Sequence, residues 1–119
     1  AKIISVDIKS PKLSYANVDF IEGNVNKIEE VLPMEKLEKL EHPLLVIEDV
    51  HVNVLGLLKY FHPFLVSGDY LVVEDSDSKQ NTISKFLKVH PGNYLVDTLY
   101  CDYFGRNLMS ARDSVFRRC

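Results

Sequence analysis

Acidic side chains close four of the apolar, strand-like runs of this sequence. They are Asp7, Glu22, the pair Glu48 and Asp49, and the pair Glu74 and Asp75. In an open parallel sheet the carboxyl ends of the strands lie along one edge, so parallel pairing would bring these carboxylates together. Their mutual repulsion must be offset, and three or four carboxylate oxygens suit a hard divalent cation such as Mg²⁺. The pattern therefore predicts a divalent-cation site.

A simpler interpretation is that each acid caps the helix that follows its strand. Such a carboxylate stabilises a helix by roughly 0.3–1 kcal/mol through the first backbone N–H groups and the helix dipole. For the single acids Asp7 and Glu22, capping and binding explain the sequence equally well. Capping explains the two adjacent pairs less well, because a helix needs only one capping carboxylate.

One histidine, His51, lies two residues after the acidic pair of the third run. An imidazole can ligate a metal or act as a general base near neutral pH. It can also lie in a loop without a chemical role, although its closeness to the acidic pair favours a functional one. Each of the other three histidines precedes a proline, and we expect structural roles for them: His42, His62 and His90.

The composition is that of one small globular domain covering residues 1–119. Apolar residues make up 46% of the 119, and 14 Lys and Arg against 17 Asp and Glu give a net charge of −3. Nucleic-acid-binding domains usually show a basic face, so the charge predicts no nucleic-acid partner. The longest apolar run, Val50 to Leu58, is too short to span a bilayer, which predicts no membrane partner. Cys101 and Cys119 lack metal-ligand spacing, which favours free thiols in a reducing compartment such as the cytoplasm.

Strand-length apolar runs alternate with segments at helical spacing, which predicts an α/β fold with a mainly parallel sheet. The predicted strands are Lys2–Asp7, Val18–Glu22, Pro43–Glu48, Asp69–Glu74 and Asn93–Thr98. Most are apolar along their length, as expected of strands that are covered on both faces. The last 20 residues, around Gly105-Arg106-Asn107, predict a β-hairpin or an antiparallel edge strand.

Three helices are predicted between these strands. The first contains Ile28 to Leu40, with Asn24 or Asn26 as its cap and an interruption at Pro33. The second has its apolar stripe from Val54 to Leu65. The third extends from Ser78 to Val89 with Asp77 or Ser78 as its cap.

Two segments carry a longer pattern. Residues 43–51 have the sequence Pro-Leu-Leu-Val-Ile-Glu-Asp-Val-His, and residues 60–75 have Tyr-Phe-His-Pro-Phe-Leu-Val-Ser-Gly-Asp-Tyr-Leu-Val-Val-Glu-Asp. This pattern resembles the cephalosporin hydroxylase and rhamnosyl O-methyltransferase family, a branch of the class I S-adenosylmethionine-dependent methyltransferase fold. Further matches extend the likeness over essentially all 119 residues. They are Phe86-Leu87, Val96-Asp97, Asp102, Phe104-Gly105, Asn107 and Arg117-Arg118.

The resemblance implies a divalent-metal site, with Mg²⁺ as the expected ion. Its ligands would be Glu74, Asp75 and one acid of the earlier motif. Family members usually have Asp where Glu48 falls, and Asp49 is its neighbour, so either residue of that pair is a candidate ligand. The resemblance places His51 near the reacting centre, where it is a candidate base.

The resemblance also implies a bound S-adenosylmethionine. Asp7 would accept hydrogen bonds from the ribose hydroxyls of this cofactor. Gly23 and Asn24 fall where the backbone of this fold often lies along the adenine. The implied fold is Rossmann-like, with a mostly parallel sheet. Its first strand and glycine-rich loop would precede Ala1, so residues 1–119 would correspond to the carboxyl-terminal part of the domain.

Two functions follow from these expectations. The first is the carboxyl-terminal half of an S-adenosylmethionine-dependent, Mg²⁺-assisted O-methyltransferase-like protein that acts on a hydroxyl of a small molecule. The second is a non-catalytic binding module derived from the same fold. In either case strands without a neighbour would expose sheet edges, which predicts homo-oligomerisation through those edges.

Overall fold

The computed structural model describes residues 1–99 and 113–119. The chain divides into two compact units, Ala1–Lys39 and Leu40–Cys119. That residues 1–119 form one domain stays a prediction, and the predicted turn around Gly105-Arg106-Asn107 lies outside the described residues. Over the part of the chain that the structure describes, no helix combines the length and the apolar character needed to cross a membrane.

The first unit contains two strands, β1 (Ile3–Asp7) and β2 (Val18–Glu22), which pair in parallel. Their register aligns Asp7 with Glu22, so both strands end in a carboxylate at the same edge. After a 3₁₀ turn come two short helices, α1 (Ile28–Val31) and α2 (Met34–Leu37).

Two predictions about the start of this helical segment are confirmed. Pro33 lies between α1 and α2 and interrupts the helix, because its ring removes a backbone donor. Of the two candidate caps, Asn24 is the one used. Its side-chain oxygen accepts a hydrogen bond of 2.9 Å from the Asn26 N–H at the beginning of the 3₁₀ turn.

The second unit contains a four-stranded sheet of order β3-β4-β6-β5. Its strands are β3 (Leu45–Glu48), β4 (Tyr70–Val73), β5 (Tyr94–Val96) and β6 (Ser114–Arg118). β3 and β4 are parallel, whereas β6 is antiparallel to both of its neighbours. The prediction of an antiparallel carboxyl-terminal strand is confirmed, but its placement at an edge is wrong. β6 lies inside the sheet, where both of its backbone edges find hydrogen-bond partners.

Helices α3 (Val54–Phe61) and α4 (Gln80–Val89) supply the rest of the core of this unit. Eight buried residues form it: Leu58, Leu65, Leu71, Val73, Ile83, Phe86, Tyr94 and Phe116. The third helix begins two residues later than predicted, and neither Asp77 nor Ser78 caps it. Lys79 occupies the cap position and makes no side-chain cap hydrogen bond there.

The two faces of β3 differ in exposure. Val46 packs against the core and Glu48 is buried, whereas Leu45 is 61% and Ile47 56% exposed. This is the alternation expected of a strand with one covered face. The expectation that the strands are covered on both faces is therefore wrong for β3, because α3 and α4 contribute to the core on the side of Val46 only.

The beginnings of β3 and β4 are joined by a fully buried carboxylate, that of Asp69. Its Oδ1 accepts from the Leu44 N–H at 2.7 Å, and its Oδ2 accepts from the Val66 N–H at 2.7 Å. The Nδ1 of His42 lies 2.8 Å and 3.0 Å from the two carboxylate oxygens. Asp69 thus fixes the position at which β3 and β4 start. Because the two strands pair in register, it also fixes the position at which they end.

We expect Asp69→Asn to lower the free energy of unfolding by about 3 kcal/mol, because an amide cannot accept from Leu44, Val66 and His42 together and leaves buried donors unpaired. Urea unfolding followed by circular dichroism measures the change. Glu41→Gln is the control, since this exposed acid should change the value by no more than about 0.5 kcal/mol. Equal unfolding midpoints for the two variants would contradict the role given to Asp69.

Candidate functional site

The parallel pairing of β3 and β4 brings the two acidic pairs together. Glu48 aligns with Val73, and the Glu74 N–H donates to the Glu48 carbonyl at 2.9 Å. Asp49 and Asp75 therefore leave the sheet next to each other, at the carboxyl ends of both strands. This is the edge at which ligands bind in open α/β sheets.

Three side chains at this edge could hold one metal ion. Asp49, His51 and Asp75 each offer a ligand atom, and these atoms lie within 4.8 Å of one another. The His51 Nε2 and the Asp75 Oδ2 are 3.9 Å apart. Asp49 and His51 are exposed and Asp75 is half-buried, so the group is open to solvent. We refer to Asp49, His51 and Asp75 as the rim group.

The backbone at Asp75 directs its side chain toward this group. Its φ of 48° is in the left-handed region, which Asp tolerates better than most residues. The Asp75 N–H donates to the Asp113 Oδ1 at 3.1 Å, and the Asp75 carbonyl accepts from the Ser78 N–H at 3.1 Å. Asp113 was missed in the sequence because only the antiparallel placement of β6 beside β4 brings the start of one strand to the end of the other.

The carboxyl group of Glu74 lies beside that of Asp49. Burial raises the pKa of Glu74 above its ordinary value, and the negative charges of Asp49, Asp113 and Asp75 raise it further. Negative charge is thus concentrated where the two strands end. A bound cation would offset this repulsion.

Glu48 has a different environment. It is buried, and both of its carboxylate oxygens accept from the Lys79 Nζ, at 2.9 Å and 3.1 Å. Glu48 is not part of the rim group, so of the two adjacent acids it is Asp49 that the fold brings next to Asp75. Lys79 was not singled out in the sequence. It lies in a polar stretch, Ser76 to Asn81, in which a lysine is expected to be exposed.

The available donors fit a divalent cation. Asp49, Asp75 and the neighbouring Glu74 offer carboxylate oxygens, the ligands that Mg²⁺ prefers. The imidazole nitrogen of His51 is better suited to Mn²⁺, Co²⁺ or Zn²⁺.

In the first unit, Asp7 and Gly23 are adjacent at the ends of β1 and β2. The Gly23 N–H donates to the Asp7 carbonyl at 2.9 Å, and the exposed Asp7 carboxylate accepts from the Lys9 N–H at 3.2 Å. An exposed carboxylate at a strand end can accept hydrogen bonds from ribose hydroxyls. The side chain of Asn24 is engaged as the helix cap described above.

Packing gives Gly23 a structural role of its own. A Cβ at this position would lie 2.5 Å from the Val31 Cγ2, closer than carbon atoms approach in folded proteins. The glycine is thus required by the close approach of α1 whether or not a cofactor passes here.

Three solved structures of CmcI share the fold of this chain. The ligand-free form matches with a TM-score of 0.75 over 98% of this chain and 52% of that chain. A complex with SAH matches with a TM-score of 0.67 over 98% and 55%, and a complex with Mg-SAM with 0.68 over 99% and 53%. The sequence identity is 22% in each case.

These matches confirm the fold class that the sequence predicted, a Rossmann-like methyltransferase fold of α/β type. They also agree with the family whose motifs the sequence resembles. The chain spans about half the length of the structures it matches. No family model and no curated protein matches the sequence.

If His51 ligates the ion, His51→Ala should weaken the binding of Co²⁺ at least about tenfold more than that of Mg²⁺, because imidazole contributes little to Mg²⁺ sites. Isothermal titration with each ion gives the two dissociation constants. Val52→Ala, an exposed neighbour, is the control and should leave their ratio unchanged. An unchanged ratio in His51→Ala would exclude His51 as a ligand and leave it free to act as a base.

Proposed function

We propose that this chain is part of an S-adenosylmethionine-dependent, divalent-metal-assisted O-methyltransferase-like protein whose second unit supplies the metal site. The observation that carries the proposal is the rim group, in which three ligand atoms lie within 4.8 Å of one another where two parallel strands end. The sequence motifs support it. Further support comes from the CmcI structures, one of which is a complex with Mg-SAM.

The proposed metal ligands are Asp49, Glu74 and Asp75. A divalent cation held there would lower the pKa of an acceptor hydroxyl and orient its oxygen for attack on a methyl group. Glu74 is beside Asp49 and accounts for a third carboxylate, although its atoms lie outside the rim group. The open position of these side chains leaves room for a small-molecule hydroxyl.

His51 is the proposed base. Its imidazole is exposed, and the neutral ring can take the proton of the acceptor hydroxyl at Nε2. Asp75, 3.9 Å away, would stabilise the resulting imidazolium. A His51 that ligates the ion through Nε2 is not free to act in this way, so the ion-preference experiment above also decides between the two roles.

The first unit would contribute to cofactor binding. We propose that the Asp7 carboxylate accepts hydrogen bonds from the ribose hydroxyls of S-adenosylmethionine, and that the Gly23 and Asn24 backbone lies along the adenine. Asp7 is exposed and lies at a strand end, as this role requires. The acceptor would be a small molecule with a hydroxyl group.

Isothermal titration of the chain with Mg²⁺ and Mn²⁺ tests the metal site. Glu74→Gln and Asp75→Asn should each weaken binding about tenfold or more, because each removes a charged ligand. Asn is chosen at position 75 since it tolerates the left-handed backbone. Glu41→Gln, which removes an exposed acid elsewhere in the same unit, should bind as the wild type does.

Binding that is equal in Glu74→Gln, Asp75→Asn and Glu41→Gln would overturn the proposed site. A second titration with S-adenosylmethionine, repeated with Asp7→Asn, examines the cofactor separately. Heat that disappears in this variant would support the ribose contact.

A second candidate function is a non-catalytic module that oligomerises through a sheet edge. The observation that favours it is the position of β3 at one end of the four-stranded sheet, with Leu45 and Ile47 more than half exposed. An edge strand with apolar side chains can pair with another chain. We propose that such pairing joins two copies of this chain.

Ile47→Lys should shift this chain toward the monomer, because a lysine on an edge strand opposes strand pairing. Light scattering coupled to size-exclusion chromatography measures the mass of wild type and variant. Lys85→Glu, on the exposed side of α4, controls for a change of charge. A wild type that is monomeric at all concentrations would exclude the oligomerising module.

A further inference from the structure

A buried ion pair joins Lys79 and Glu48, which are close in the chain to the rim group: Glu48 directly precedes Asp49, and Lys79 lies four residues after Asp75. The side chains are 6% and 2% exposed, and the Lys79 Nζ is 2.9 Å from one oxygen of Glu48 and 3.1 Å from the other. Buried ion pairs contribute little net stability compared with apolar residues of the same size. The role of this ion pair is therefore to be found in the segments that it holds in place.

The Glu48 carboxylate contacts the loop that carries the candidate ligands. Besides Lys79, its Oε1 accepts from the Val50 N–H at 2.8 Å. This hydrogen bond closes a turn around Asp49, the residue between Glu48 and Val50. The orientation of Asp49 is thus coupled to the orientation of the Glu48 side chain.

Lys79 is anchored in the loop that follows Asp75. Its N–H donates to the Ser76 carbonyl at 3.1 Å, and its carbonyl accepts from two N–H groups in the first turn of α4, those of Thr82 and Ile83, at 3.0 Å each. The Lys79–Glu48 pair therefore ties the loop after β4 to the loop after β3, one of which carries Asp75 and the other Asp49.

We propose that Lys79 is a positioning residue of the metal site. Acting through Glu48, it holds the Asp49 loop against the Asp75 loop. It also binds the Glu48 carboxylate, so that of the two adjacent acids Glu48 and Asp49 only Asp49 faces the ion. Lys79 itself touches neither the ion nor a substrate. This inference rests on the proposed function, since it requires that Asp49 and Asp75 bind a cation.

Electrostatics alone predicts the opposite effect. Lys79 is a positive charge close to a cation site, so its removal should tighten cation binding if charge were its only contribution. It should also tighten binding if Lys79 competes with the ion for Glu48. Loss of positioning weakens binding instead, because Glu48 no longer has a fixed orientation and the turn around Asp49 is released. The sign of the change therefore separates the explanations.

The experiment compares Mn²⁺ affinity in wild type, Lys79→Met and Lys85→Met, with free Mn²⁺ followed by electron paramagnetic resonance. Lys85 lies on the same helix and is exposed, so Lys85→Met matches the charge and size of the change. We expect about a tenfold loss of affinity in Lys79→Met and none in Lys85→Met. Circular dichroism of each variant gives the folded fraction, for which the affinities are corrected.

A double variant, Glu48→Gln with Lys79→Met, guards against a Lys79→Met protein that does not fold. Its Gln side chain can still accept from Val50 without leaving a buried charge, so affinity should recover to within about threefold of the wild type. If Glu48 were itself a ligand, the double variant would instead lose as much affinity as Asp49→Asn.

Unchanged or tighter binding in Lys79→Met, or failed recovery in the double variant, would overturn the positioning role while leaving the metal site in place. A wild type that does not bind Mn²⁺ would overturn both this inference and the proposed function.

Discussion

The parallel pairing of β3 and β4 is the constraint on which the candidate site depends. Its register runs from Leu45 opposite Tyr70 to Glu48 opposite Val73, so both strands end at the same level. The acidic residues at the two strand ends therefore lie side by side. At the other end, the buried carboxylate of Asp69 accepts hydrogen bonds from the segments that lead into each strand. One buried acid thus fixes the register that places the exposed acids.

Gathering carboxylates in this way is electrostatically unfavourable, and the structure shows how part of the repulsion is met. Lys79 neutralises Glu48 inside the protein, where an unpaired charge would be costly. Burial raises the pKa of Glu74, and its negative neighbours raise it further. The remaining charge at Asp49 and Asp75 faces solvent, where a divalent cation would stabilise it. The internal lysine and the external cation would therefore have complementary roles.

The likeness to CmcI establishes a fold, and the chain spans about half of those structures. In this chain, Leu45 and Ile47 are exposed on β3, the strand at one end of the four-stranded sheet. Such apolar side chains are ordinarily covered in a parallel sheet. Asp49, one of the candidate metal ligands, directly follows this exposed strand in the chain.

The sequence by itself determined β3, β4 and β5 to within about two residues, because apolar runs bounded by turn residues leave few other structures open. It gave no bounds for β6. It also determined that acids follow β3 and β4. Only the tertiary structure decided that Asp49 joins His51 and Asp75 while Glu48 turns inward with Val46 on the covered face. It alone brought Lys79 and Asp113 to the site and placed β6 inside the sheet. These outcomes depend on contacts between residues far apart in the chain, and local patterns of hydrophobicity and charge carry no record of such contacts.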